Sequence, residues 1–75
     1  ENELLGDELR KVIDNAVGAL PEDLRTALTL REFDGMSYED IALIMECPVG
    51  TVRSRIFRAR EFIDYRVLDL LDKNG

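Results

Sequence analysis

Four side chains in the last third of the chain have types and spacing suited to holding an anion: Arg53, Ser54, Phe57 and Arg58. Wound as a helix at about 100° per residue, they share one side with Gly50 and Glu61, and Arg55 and Arg60 sit on the flanks. On the opposite side Val49, Val52, Ile56, Ala59, Ile63, Val67 and Leu70 fall within about 60° of Val52, a narrow apolar stripe roughly five turns long. Arginine grips a phosphate, or the N7 and O6 edge of guanine, through two parallel hydrogen bonds. Serine can donate or accept, and a phenylalanine ring can lie against a thymine methyl or a sugar. The pattern therefore predicts a helix that docks on a core by its stripe and enters the major groove of double-stranded DNA by its other face. Arg53, Ser54, Phe57 and Arg58 are the candidates for reading bases. The plain alternative, a solvated arginine-rich surface, leaves an exposed Phe57 unexplained.

A second group is placed to touch the sugar-phosphate backbone: Arg31, Tyr38, Pro48, Gly50, Thr51, Arg55 and Arg60. Pro48, Gly50 and Thr51 stand at the start of the arginine-bearing helix, where free N–H groups favour an anion. Gly50 lets a backbone come close, at up to about 1 kcal/mol of helix propensity. Arg31 and Tyr38, at the end of one element and the start of the next, would flank the groove. Local capping and surface ion pairs, such as Arg60 with Asp64 at i, i+4, are the competing use of these residues.

Other chemistries are thinly supplied. There is no histidine, which removes the commonest general base and metal ligand, and a single cysteine completes neither a zinc site nor an internal disulfide. Glu22 and Asp23 are adjacent, and neighbours in a helix do not face each other, so they make no catalytic pair. We expect no enzyme activity, no cofactor and no metal. Cys47 reads as a small apolar turn residue in a chain of a reducing cytoplasm. No apolar run approaches the roughly 20 residues that span a bilayer, and the acidic N-terminus is not a signal peptide, so no membrane insertion is expected.

The net charge of −6 argues at first against nucleic acid, but the total hides an asymmetry. Residues 1–48 hold four basic and twelve acidic side chains, a net −8, while residues 49–66 hold five arginines against Glu61 and Asp64, a net +3. Sign matters locally, within a Debye length of roughly 8–10 Å. The acidic remainder predicts a domain that binds DNA weakly alone and relies on a larger assembly.

The elements that must position these residues are all helical. With 75 residues, one small all-α domain of four helices is expected, at about 7–18, 21–33, 37–45 and 49–71, with no strand signal anywhere. Residues 1–6 read as a frayed lead-in, with Asp7 as N-cap of the first helix. Leu9, Val12, Ile13, Ala16 and Val17 follow helical spacing. Pro21 fits the first position of the second helix, with Glu22 and Asp23 beside its positive end. Gly35 can take the left-handed conformation that ends it. Ser37 and Asp40 form a capping-box-like start to the third, whose apolar residues are Ile41, Ile44 and Met45. Leu24, Leu28, Leu30 and Phe33 read as core, with some of them free to line a groove for a partner. A short helix, the turn Glu46-Cys47-Pro48 and a long arginine-bearing helix make a helix-turn-helix over 37–60.

The run LPEDLRTALTLREFDGMSYEDIALIMECPVGTVRSRIFRAR, Leu20 to Arg60, resembles region 4 of the extracytoplasmic-function sigma factors of bacterial RNA polymerase, most like the envelope-stress and alginate-regulating group. The pieces LPEDLR, SYEDIA and CPVGTVRSRIFRAR carry the resemblance; the tail departs from it at Phe62 and Tyr65. The likeness implies recognition of the promoter −35 element, GGAAC-like in sequence, with Arg53, Ser54, Phe57 and Arg58 at the base-reading positions. It also implies docking on the β-flap of the RNA polymerase core and sequestration by an anti-sigma factor. Two rivals share the residues: a response-regulator output domain, and a protein-interaction module whose DNA face stays masked by an anti-sigma partner.

Overall fold

The computed structural model describes residues 2–74, and side chains are described for 6–73. Four helices follow in order: α1, Asn2–Ala19; α2, Glu22–Glu32; α3, Tyr38–Met45; and α4, Val49–Asn74. The last is 26 residues long and packs against each of the other three, while α2 also meets α3. The four-helix, all-α architecture expected from periodicity is the one observed.

The core forms where the apolar stripe of α4 meets the small and branched residues of α2 and α3. Val52, Ile56 and Ala59 are buried together with Ala27 and Leu28 of α2, Ile41 and Ala42 of α3, and Leu20 from the turn before α2. The alanines keep side chains short at the crossings, so the backbones approach closely, and no described side chain buried here is polar. Burying apolar surface at about 25 cal/mol per Å² is the main favourable term available to so small a chain. Farther along α4, Ile63 and Val67 are half-buried.

Local signals fix the helix ends. Ser37 is the N-cap of α3, its Oγ accepting from the Asp40 N–H at 3.0 Å. Gly35 takes φ +68°, the left-handed conformation that only glycine adopts without penalty, and the Met36 N–H reaches back to the Leu30 carbonyl at 3.1 Å. The turn between α3 and α4 is closed by Glu46, also left-handed at φ 54°, and the Cys47 N–H donates to the Ala42 carbonyl at 3.1 Å. Pro48 then starts α4, its carbonyl accepting from the N–H groups of Thr51 and Val52.

Five expectations need correction. Helix α1 begins at Asn2, not Asp7, so Asp7 lies within the helix rather than capping it. Glu3, Leu4 and Leu5 are strong helix formers, enough to carry the helix through Gly6 at about 1 kcal/mol; position 1 lies outside the described residues. Pro21 is the N-cap of α2 rather than its first turn, and its carbonyl accepts from the Arg25 N–H at 2.9 Å. Helix α4 runs three residues past Leu71. Ile44 faces solvent, because the inward side of α3 is centred between Tyr38, Ile41, Ala42 and Met45, about 110° away. Phe33, at the C-cap of α2, is 72% exposed and contributes no core packing.

Two stability measurements check this packing. Ile56→Ala should destabilise by about 2–5 kcal/mol in urea unfolding, with Phe57→Ala within about 0.5 kcal/mol of the parent chain. Glu46→Gly, which relieves a left-handed residue that carries a Cβ, should raise stability by about 0.5–1 kcal/mol.

Candidate nucleic-acid interface

Because Val52, Ile56 and Ala59 are buried, the residues between them must point outward, and they do. Arg53, Ser54, Phe57 and Arg58 are all exposed, Phe57 by 65%. Two shallow depressions of about 500 Å³ each follow one another along this face. Pro48, Gly50, Thr51 and Arg55, with Asp23 of α2, line the first; Arg53, Phe57 and Glu61 line the second; Ser54 and Arg58 border both. The base-reading candidates and most of the backbone candidates therefore share one continuous surface. A Cβ on Gly50 would meet nothing within 4 Å, so the fold itself does not require glycine there.

The flanking arginines are not free in solution. Arg31, in the last turn of α2, donates through Nη1 to the Met36 carbonyl at 2.8 Å, and its guanidinium lies 4.7 Å from the centre of the Tyr38 ring. Arg53 approaches the same ring, at 5.6 Å. Arg55 pairs through Nε with the Asp23 carboxylate at 3.6 Å and has Nη1 at the same distance from the Cys47 sulfur. Arg60 bonds through Nη2 to Glu32 of α2. That hydrogen bond pushes the already high pKa of the guanidinium further up, partial burial works against it, and the charges of Tyr38 and Asp64 add smaller raising effects. Arg60 thus finds its main partner on another helix, with the Asp64 at i+4 secondary.

These pairings are what the sequence did not disclose. Asp23 and Glu32 come 32 and 28 residues before their arginines, and no periodicity connects them. Arg25 was likewise missed: its Nη1 bonds the carbonyls of Gly18 and Leu20 at 3.3 and 3.2 Å, satisfying acceptors at the end of α1. Among the described residues no His, Cys, Asp and Glu group gathers closely enough to hold a metal ion, and no helix is long and apolar enough to cross a membrane.

A second surface lies apart from Arg53, Ser54, Phe57 and Arg58, with Arg60 at its border. Ile13, Val17, Leu28 and Ile63 line an apolar groove of about 270 Å³, bordered by the exposed Phe33 and by the Arg60–Glu32 pair.

Residues 10–63 match the family model for sigma-70, region 4. The chain belongs to the sigma-70 region 4 family. Its relatives agree. It is 63% identical over 71 residues to the ECF RNA polymerase sigma-E factors of Escherichia coli (strain K12) and Salmonella typhimurium (strain LT2), and 61% identical over 71 residues to that of Haemophilus influenzae. Those residues make up 95% of this chain and 37% or 38% of the relatives, so the chain spans little more than a third of their length. Region 4 membership places it among sigma-factor domains and not among enzymes.

The Arg60–Glu32 pair on this region 4 domain is exposed on both sides, so it contributes little to stability. Glu32→Gln should change it by no more than about 1 kcal/mol, and the difference should shrink further when unfolding is measured in 1 M salt.

Proposed function

We propose that this region 4 domain reads the −35 element of promoters, a GGAAC-like sequence, as the C-terminal part of a sigma factor that directs transcription initiation. One observation carries the proposal: the apolar stripe of α4 is buried and its arginine, serine and phenylalanine face is left open along the helix. In this reading α3 crosses the DNA backbone and braces α4, which lies in the major groove. Arg53 and Arg58 bond guanine edges, Ser54 a neighbouring base, and Phe57 packs against a thymine methyl or sugar.

Arg31, Tyr38, Pro48, Gly50, Thr51, Arg55 and Arg60 would hold the sugar-phosphate backbone and set register. The open space at Gly50 and its place beside Thr51 at the start of α4 support close approach of a phosphate there. Asp23 and Glu32 hold Arg55 and Arg60 in the free domain and must release or share them when phosphate arrives. That competition, with the net charge of −6, supports weak binding by the isolated domain and reliance on the polymerase for avidity.

The protein partners are the RNA polymerase core, met at its β-flap, and an anti-sigma factor, all within the cytoplasm. The groove lined by Ile13, Val17, Leu28 and Ile63, with Phe33 beside it, supports an apolar protein contact that leaves Arg53, Ser54, Phe57 and Arg58 open to DNA. Arg60 borders the same groove, so an anti-sigma partner seated there and extending past Arg60 over α4 would give the second reading, a domain held with its DNA face covered.

Band shifts with a GGAAC duplex and a scrambled duplex, each at two salt concentrations, test the first reading. Arg53→Ala and Arg58→Ala should each reduce discrimination between the duplexes by about 1–3 kcal/mol. Arg31→Ala should weaken binding to both duplexes alike and flatten the salt dependence by roughly one unit. Full selectivity in either of the first two variants would remove the assignment.

A further inference from the structure

Among the four base-reading candidates, Arg53 alone is tied to another helix. Among the described contacts, the side chains of Ser54, Phe57 and Arg58 make no hydrogen bond, ion pair or ring contact, whereas the Arg53 guanidinium lies over the Tyr38 ring at 5.6 Å. That ring is itself well held. Tyr38 is the first residue of α3, is half-buried and packs against the core, and it carries Arg31 at 4.7 Å. Arg31 is fixed in turn by its bond to the Met36 carbonyl. One ring thus joins the end of α2, the start of α3 and the reading face of α4.

A guanidinium attracted to an aromatic face keeps the N–H groups of its planar fork available for hydrogen bonds. An arginine side chain otherwise loses much of its rotamer freedom when it is ordered on a base. A ring that already narrows that freedom lowers the cost of presenting the fork. The distance lies near the outer limit of about 6 Å for such contacts, so the effect is one of bias rather than of locking.

We propose that Tyr38 is a positioning residue for Arg53: its ring, through its face and not through its hydroxyl, sets the attitude from which Arg53 meets a guanine. The proposal rests on the reading of this domain as a −35 binder, and it assigns the tyrosine a part beyond phosphate contact. A phosphate contact through the hydroxyl would make Tyr38→Phe as damaging as Tyr38→Leu. Positioning through the ring separates the two variants.

The test is a fluorescence anisotropy titration of the 75-residue chain with labelled GGAAC and scrambled duplexes. Tyr38→Phe should keep the ratio of the two affinities within about twofold of the parent, and Tyr38→Leu should lower it by about 2- to 5-fold. In an Arg53→Ala background, Tyr38→Leu should cost no further selectivity. Equal loss in the Phe and Leu variants overturns the proposal, as does full selectivity in the Leu variant or additive losses with Arg53→Ala. A parent chain that does not discriminate overturns the −35 reading and the proposal with it; a discriminating parent with the wrong variant pattern overturns the positioning role alone. Nuclear magnetic resonance on the free domain supplies a readout that does not need the Leu variant to fold. The Arg53 Nε–H proton, identified by its loss in Arg53→Ala, should lie upfield of that of Arg58 and stay upfield in Tyr38→Phe. Coincidence of the two resonances in the parent chain would overturn the proposal.

Discussion

The burial of Val52, Ile56 and Ala59 against α2 and α3 is the constraint on which the rest depends. Side chains on one helix have fixed angular relations, so fixing that stripe fixes the outward direction of Arg53, Ser54, Phe57 and Arg58. No loop has to be ordered to make this exposed face. The alanines at the crossings let α3 lie close beneath α4, and the tight turn at Glu46 and Cys47 sets the relation of the two helices through main-chain hydrogen bonds. Packing, a short-range apolar effect, therefore decides the geometry of a polar surface.

Electrostatics modulates that surface rather than building it. The excess of acid lies mostly before residue 49, and part of it folds back onto the arginines of α4. Exposed pairs of this kind are worth little to stability, which leaves their influence on where the guanidinium groups rest. Asp23 and Glu32 hold Arg55 and Arg60 on the flanks, and the Tyr38 ring attracts Arg53, while Arg58 is left open between the two depressions. The proposed base readers and the proposed backbone contacts are thus held in different ways by elements far apart in sequence.

Much of this was legible in the sequence, and the reason is local. The stripe of α4 repeats at helical spacing over many turns, so its inward side could be named from position alone. The Ser37 cap and the left-handed Gly35 follow from side-chain and backbone preferences that act within three or four residues. Where several weak preferences compete, the reading failed. Gly6 and Asp7 look like a helix start, yet the helix formers before them outweigh one glycine. Ile44 and Phe33 are apolar, but a short helix or a helix end buries only what its neighbours cover. Glu46 adopts a left-handed turn with no glycine to announce it. The arginine partners were invisible because a pairing across 28 or 32 residues exists only once the chain has folded.

The 26-residue rod of α4 has a consequence for how such a domain can diverge. Its core stripe and its exposed arginine-bearing face are two sides of one rigid body. A volume change at Val52 or Ile56 that rolled the helix by about 15° would sweep the side-chain tips through roughly 1.5 Å, given the helix's radius with side chains. Displacements of that size are larger than a specific contact tolerates. Epistasis between the buried and exposed sides follows from rigidity alone, so new preferences are most accessible by exchanging side chains at the tips while the bearing beneath them stays unaltered.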